Sequence, residues 1–296
     1  MIRLDLGFKQ SRGIINHIGV SGGKDSTALL LWAVYESGYP KDSIVATFCD
    51  TGNEADVTYR QIEMLSTRVH PIETIKPPLD FFELAKKKKR FHSVKARFCT
   101  SELKVLPTQS HIHGLISRGY TVVAHSGVRR DESLSRAALP ARDYDPGFLC
   151  EVYRPLLDWG IEDIWAIHDR YSIPVNPLYK MGATRVGCLP CIINRKRELT
   201  MIARNFPEVV ERLAAAEESI DTVNGFSSFF AMDRVPITWR SKDVTLANGE
   251  IVKVPTARDV FNWAQTAWGG RQFQFDFMLD ADPDSAVCPS GRGMCE

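Results

Sequence analysis

The sequence lacks the features that announce a membrane or secreted protein. It contains no run of ~18 apolar residues, the length a bilayer-crossing helix needs. Its start, Met1-Ile2-Arg3-Leu4-Asp5, has no apolar segment of a secretory signal. Cysteine is scarce, 7 in 296 residues, too sparse for a disulfide scaffold. In a reducing compartment, cysteines that cluster more often serve metal or redox chemistry. Net charge is nearly absent too: 37 Lys and Arg stand against 36 Asp and Glu, a formal +1. No global field therefore marks a nucleic-acid partner, although a local basic face can sit inside a neutral total. There are no internal repeats or low-complexity segments. What remains, 44% hydrophobic and 25% charged, is the composition of a globular protein with a full core. Together these features predict a cytoplasmic protein with no membrane partner.

Residues 14–20 (IINHIGV) are a mostly apolar run, short enough for a buried strand. A Ser/Gly loop follows, then helical periodicity over 26–37. Further strands are expected over 44–49, 71–75 and 120–124, and helices over 54–68, 81–89 and 101–118, the last interrupted at Pro107. Strands alternating with helices predict an α/β fold, a doubly wound parallel sheet covered on both faces. From about 158 the alternation weakens. Residues 161–171, 207–219 and 256–268 read as helices, and Asn248-Gly249 as the turn of a hairpin joining 244–246 to 251–254. The chain thus divides into an α/β domain, 1–157, and a smaller helical and irregular region, 158–296, carrying a CxxC and a C-terminal cysteine pair. The densest basic run, Lys86-Lys87-Lys88-Lys89-Arg90, is either the solvated end of a helix or a contact for nucleic acid or phosphates.

In open α/β sheets ligands bind beyond the carboxyl ends of the strands. Three polar clusters fall there: 21–26, 50–54 and 126–136. The first, Ser21-Gly22-Gly23-Lys24-Asp25-Ser26, is a glycine-rich turn between strand and helix. Such a turn presents backbone N–H groups to an anion, aided by the helix N-terminus. Ser21 and Ser26 add hydroxyls and Lys24 a charge. It is not a Walker A loop: Gly19 is one residue too close to Gly23, and Asp25 stands where Ser or Thr should follow the lysine.

The loop does resemble the SGGxDS pyrophosphate loop (PP-loop) of the adenine nucleotide α-hydrolase superfamily. That resemblance implies binding of ATP, its cleavage between the α- and β-phosphates, and Mg²⁺ held by Asp25 against the phosphates. Further segments are similar to the phosphoadenosine-phosphosulfate (PAPS) reductase family. Asp50-Thr51-Gly52-Asn53-Glu54 resembles its D-T-G-x-E, and Cys99 through Pro107 its C-[CT]-x-x-[RL]-K-x-x-P. Gly127 through Arg136 resembles its G-x-R-x-x-[EQ]-S-x-x-R, and Pro155-Leu156-Leu157-Asp158-Trp159 its P-L-x-D-W. Asn176-Pro177-Leu178-Tyr179 through Cys191 resembles its N-P-L-Y-x-x-G-x-x-R-x-G-C-x-x-C. Order and spacing agree over roughly 14 to 195. The resemblance implies nucleotide contacts from Ser21, Gly22, Gly23, Lys24, Asp25, Ser26, Asp50 and Gly127. It also implies charge balance by Arg129 and Arg136, whose guanidinium forks suit phosphate or sulfate oxygens. Glu54 could instead be a helix N-terminal acid, and His125 a satisfied strand-end histidine.

Cys188-Leu189-Pro190-Cys191 can serve zinc, an iron–sulfur cluster or redox chemistry. In the cluster-bearing branch of the family, CxxC and an upstream cysteine hold a [4Fe–4S] cluster beside the nucleotide. The resemblance therefore implies Cys99, Cys188, Cys191 and Cys288 as ligands, with Cys295 a free sulfur-handling thiol. Exchange of Cys288 and Cys295 stays open, as does structural Zn²⁺. Cys49 and Cys150 read as buried structural thiols. The sequence also departs from the sulfonucleotide reductases. Phe98 precedes Cys99 where those have a second cysteine, and the chain ends Gly293-Met294-Cys295-Glu296 rather than in an E-C-G-L-H motif. These departures favour the branch typified by bacterial DNA phosphorothioation proteins. There ATP activates an acceptor, here including a DNA backbone phosphate, for sulfur supplied by a cysteine desulfurase partner. A reductase that releases sulfite through Cys295, and an idle nucleotide-binding subunit of a larger assembly, are the alternatives.

Overall fold

The computed structural model describes residues 11–268 except 221 and 223–225. Its centre is a six-stranded sheet of β1 Ile14–Gly19, β2 Ile44–Cys49, β3 Ile72–Ile75, β4 Thr121–His125, β5 Arg142–Asp145 and β6 Cys150–Tyr153. The spatial order is β3-β2-β1-β4-β6-β5. All neighbours are parallel except β5 and β6. The expected doubly wound sheet is present, with two strands more than the apolar runs indicate. β5 and β6 are four residues each. β5 (RDYD) is polar and mostly exposed, so neither an apolar run nor strict alternation marks it. Charge on an edge strand also guards the sheet's open rim.

Helices α1 Lys24–Tyr35, α2 Asp56–Arg68 and α3 Phe81–Lys87 follow the first three strands. The single turn α4, Phe98–Thr100, runs through a π-helical turn, Ser101–Val105, into α5 Leu106–Ser117. Pro107 therefore does not interrupt a helix. It sits in the first turn of α5, where its missing N–H leaves nothing unpaired, and the irregularity lies before it. The rest of the chain forms α6 Leu134–Ala137, α7 Ile161–Arg170, α8 Pro177–Lys180, α9 Lys196–Asn205, α10 Pro207–Ser219 and α11 Ala257–Ala264. The hairpin β7 Lys242–Thr245 and β8 Ile251–Val254 precedes α11.

Successive side chains of a strand face opposite sides, and the core divides accordingly. Ile18 of β1 and Ile44, Ala46 and Phe48 of β2 pack with Leu29, Leu30 and Leu31 of α1 and with Ile164 and Ile167 of α7. On the other side Ile15, Val122, Ala124 and Val152 pack with Ile112 and Leu115 of α5. A third cluster joins Phe81 and Leu84 of α3 to Leu199, Leu213 and Phe261 of α9, α10 and α11, with Leu189 and Ile192 of the CxxC segment inside it. The C-terminal helices are thus built around the cysteine loop.

Candidate nucleotide cleft and cysteine pocket

From β1 the chain proceeds to β2 and β3 on one side, then crosses to β4 on the other. That reversal opens a crevice at the carboxyl ends of β1 and β4. Ser21–Ser26 and Ser126-Gly127 meet there. The loop is closed by its own hydroxyls: Ser26 Oγ accepts from Ser21 N at 3.1 Å and donates to the Gly23 carbonyl at 3.2 Å. Gly22 has φ of 76°, a conformation that favours glycine. Gly127 packs so closely that a Cβ there would lie 3.2 Å from the Asp25 carbonyl oxygen. The Asn176–Tyr179 segment braces the loop from outside. Asn176 Nδ2 donates to the Gly22 carbonyl at 3.3 Å, and Tyr179 Oη accepts from Lys24 N at 3.0 Å. His168 Nε2 lies 2.9 Å from the Lys24 carbonyl.

Asp25 is 4% exposed, and both its oxygens already accept from cations. Arg129 Nε reaches Oδ1 at 2.8 Å and Lys24 Nζ reaches Oδ2 at 2.7 Å. Asp25 is thus the counter-ion that fixes Lys24 and Arg129, and the second lone pair of each carboxylate oxygen stays available to an ion such as the expected Mg²⁺. Arg129 also pairs with Asp131 at 2.6 Å. Arg136 is buried against Glu132, whose Oε2 in turn accepts from Arg129 N at 2.8 Å. Neither arginine is among the residues that line the cleft; both organise the loop after β4. Asp50 shapes its own turn through one oxygen, its Oδ1 accepting from Gly52 N at 3.0 Å and Tyr59 Oη at 2.7 Å.

The cleft, about 870 Å³ with its mouth included, is lined by Ser21, Ser26, Glu54, Ser126 and Gly127 from the expected clusters, and by Cys49, Lys104 and His125. Its inner wall combines His17, Thr47 and Thr108 with Ile112, Phe148 and Val152. His17 Nε2 lies 3.1 Å from Thr47 Oγ1. Burial, then the nearby His111 and His125, lower the His17 pKa to about 3. Burial lowers that of His125 to about 4. Both imidazoles are therefore neutral, and the wall is polar but uncharged. His125 is satisfied as expected, by Tyr39 Oη at 3.1 Å and the Val123 carbonyl at 3.1 Å, but it also faces the cleft. Cys49 is not merely a core thiol either: it lines the cleft, its Sγ 3.2 Å from Thr108 Oγ1.

A second pocket adjoins the first. Cys99, Cys188 and Cys191 all line it, together with Arg97, Arg185 and His92. Lys104 and Gly187 line both pockets. Burial pushes the Cys188 thiol up to about 12, against the pull of Lys104, and burial raises Cys99 as well. For Lys104 burial acts to lower the pKa, but Cys188, Glu54, Cys49 and Cys191 together outweigh it and hold the pKa above its ordinary value. The CxxC loop is stitched to the loop after β2 through Asn53, which is fully buried. Leu189 N donates to the Asn53 carbonyl at 2.6 Å, Asn53 Nδ2 to the Pro190 carbonyl at 3.1 Å, and Arg212 to Asn53 Oδ1 at 3.0 Å. Thr51 Oγ1 and Glu54 Oε1 lie 3.6 and 3.8 Å from Cys188 Sγ.

Among the described residues no three His, Cys, Asp or Glu side chains converge tightly enough to hold a metal ion. The cysteine pocket nonetheless fits an iron–sulfur cluster in donor chemistry, with three thiols and the Lys104 cation lining it together. Cys288 and Cys295 lie outside the described residues. Sequence reasoning singled out neither Lys104 nor His17. Lys104 lies within the Cys99–Pro107 stretch, and His17 is the one ionisable residue of an otherwise apolar strand.

An α/β fold with a PP-loop at the strand-order reversal defines a class of nucleotide-binding proteins. Within that class, the phosphoadenosine phosphosulfate reductase domain matches residues 16–194, and the chain belongs to that family. A protein of Escherichia phage 186, described as an uncharacterized 37.8 kDa protein in gpa 5'region, is 34% identical, the match covering 95% of this chain and 97% of that one. The adenosine 5'-phosphosulfate reductase 1 of Bacillus subtilis is 31% identical over 49% of this chain and 60% of its own length. The similar reductase of Allochromatium vinosum is 39% identical, but across only 22% of this chain and 26% of that protein. The chain thus spans less than two thirds of these two reductases. Among solved structures, the PAPS reductase of Candida auris in a phosphate complex is similar with a TM-score of 0.46 and 19% identity, covering 60% of this chain and 82% of that one.

Proposed function

We propose that the chain is an ATP pyrophosphatase that activates an acceptor for sulfur transfer. The observation that supports this reading is the shared wall: Lys104 and Gly187 belong to both the nucleotide cleft and the pocket of Cys99, Cys188 and Cys191. A phosphate-binding loop next to three thiols suits chemistry in which a nucleotide leaves and sulfur arrives.

In this reading ATP enters as its magnesium complex. The uncharged wall of His17, Thr47, Thr108 and Phe148 takes the adenine, and the N-terminus of α1 with Ser21 and Ser26 takes the β- and γ-phosphates. Lys24 and Arg129, paired with Asp25, hold the loop in shape, and its backbone N–H groups stabilise the negative charge that gathers on the leaving pyrophosphate. An acceptor oxygen attacks the α-phosphorus, the bond to the β-phosphate oxygen breaks, and pyrophosphate departs. The outer sulfur of a cysteine desulfurase persulfide then attacks the adenylylated acceptor and AMP leaves with the oxygen. A second thiol cleaves the S–S bond of the resulting adduct, releasing the sulfur-bearing acceptor, and the disulfide left behind is reduced by an external dithiol. The acceptor of the phosphorothioation-type reaction is a DNA backbone phosphate. Lys104 holds positive charge between the two steps and favours thiolates on its cysteine side. Cys99, Cys188 and Cys191, with Cys288 or Cys295, would hold a [4Fe–4S] cluster, which supplies a soft, redox-capable sulfur environment.

The second reading is a sulfonucleotide reductase. It is favoured by the stretches shared with adenosine 5'-phosphosulfate reductases, and it uses Cys295 to attack the sulfur and release sulfite. Anaerobic protein incubated with ATP plus acceptor and sulfur donor, and separately with PAPS and a thiol reductant, distinguishes the two. Pyrophosphate from ATP without sulfite from PAPS is expected; sulfite from PAPS with ATP intact would replace the first reading by the second.

A further inference from the structure

The loop between α3 and α4 is a concentrated cation on a nearly neutral chain. Residues 86–100 (KKKKRFHSVKARFCT) hold seven Lys and Arg and no acid, against a whole-chain balance of +1. Lys86, Lys87, Lys88, Lys89, Arg90 and Lys95 are all exposed, while Phe91 and His92 between them are buried at 4% and 5%. Those two rings anchor the loop. Phe91 stacks edge-on to Phe229, His92 meets Phe81 and Phe229, and Phe91 N donates to Ser227 Oγ at 3.2 Å. Lys88 pairs with Glu102 at 2.6 Å and, with Arg90, lies over the Phe98 ring. A pinned loop holds its charges in place instead of leaving them to a mobile tail, so less order has to be imposed when a partner binds. The strip ends at Arg97 and Cys99, which line the cysteine pocket.

We infer that the 86–97 segment is a docking surface for the phosphodiester backbone of DNA, leading it to the mouth of the cysteine pocket. The assignment rests on the sulfur-transfer reading above and names the polymer that would carry the acceptor. Lys86 and Lys87 on the last turn of α3, with Lys88, Lys89, Arg90 and Lys95 in the loop after it, concentrate six exposed cations against the repeated negative charge of such a backbone. Binding of this kind releases counterions, so affinity falls steeply with salt, with a slope of about 0.9 per phosphate contact on duplex DNA and about 0.7 on a single strand.

The test is fluorescence anisotropy of the full chain with labelled duplex DNA, single-stranded DNA and RNA at several salt concentrations. The comparison variant is K86Q/K87Q/K95Q, which leaves the Lys88–Glu102 pair and every cleft residue intact. Circular dichroism and thermal melting check that the variant is folded. The inference expects binding to duplex or single-stranded DNA, a salt slope about 2 to 3 smaller in the variant, and an affinity at least tenfold lower. Binding to RNA alone, no binding to DNA, or a variant with unchanged slope and affinity, overturns it. Failure of the catalytic reading looks different: nucleic acid would still bind through the loop, but ATP would not be cleaved to pyrophosphate.

Discussion

At Gly127 the nucleotide site depends on a single missing methyl group. A Cβ there would press on the Asp25 backbone at 3.2 Å, and that backbone carries the residue fixing Lys24 and Arg129. Gly127→Ala should cost about 1–3 kcal/mol by overpacking, read by urea unfolding, and should weaken ATP binding in calorimetry. Unchanged values on both counts would mean that the loop after β4 does not brace the PP-loop. Asn53 makes a second case. Replacing it by Ala strands the Arg212 guanidinium and the Pro190 carbonyl, and lost buried hydrogen bonds of this kind cost about 1–3 kcal/mol each. Asn53→Ala should also make Cys188 and Cys191 react faster with a thiol reagent, because the loop that holds them loses its anchor. The PP-loop and the CxxC were legible in the sequence because each is a run of consecutive residues whose chemistry is read at fixed spacing. Lys104, Asn53 and His17 were not, since their roles arise only when the π-helical turn before α5, the loop after β2, β1 and the CxxC loop come together. The pairing of Asp25 with Arg129 was hidden for a similar reason: Arg129 arrives from the loop after β4.

Among the elements, the joint between α10 and α11 has a titratable clasp. Glu217 is buried at 1%. Its Oε1 accepts from Phe229 N at 2.8 Å and its Oε2 from Ala257 N at 2.7 Å. Burial nevertheless raises its pKa from 4.5 to about 7. Between those values the folded state keeps a proton that the unfolded chain releases, so this group makes stability fall as pH rises, and the loss levels off above about 7. The stability difference between Glu217→Gln and the parent should therefore shift in favour of Gln from pH 4.5 to 7 and then hold constant. A pH-independent difference in denaturant midpoints would contradict it. The neutral histidines act in the opposite sense. His17 and His125 have folded pKa values of about 3 and 4 against an ordinary 6.5, so they withdraw stability as pH falls below 6.5. Element boundaries were legible where periodicity was long. β2 agrees with its expected residues 44–49 and α10 with 207–219. β5, β6 and α9 were not: four-residue strands give too short a pattern, and α9 (KRELTMIARN) buries four of its ten residues, one of them the charged Glu198, so its apolar spacing is short.

At the scale of the whole molecule, the two pockets, their common wall and the C-terminal helices wrapped around the CxxC form one apparatus. If the cysteines hold an iron–sulfur cluster, anaerobically purified protein should be brown, with about four irons per chain. Cys188→Ser and Cys191→Ser should each lose the iron and the visible absorption; zinc at one per chain with no colour would replace the cluster by a structural site. Comparing Cys288→Ser with Cys295→Ser then identifies the fourth ligand, since only one of them should lose iron. The central claim is that this cleft breaks ATP between its α- and β-phosphates in the service of sulfur transfer. Phosphorus NMR of the anaerobic protein with Mg–ATP, nucleic acid, a cysteine desulfurase and cysteine reads that bond directly. AMP and pyrophosphate, absent when the desulfurase or the acceptor is omitted, are the expected products. ADP and phosphate, or intact ATP beside sulfite released from PAPS in a parallel tube, would contradict the account.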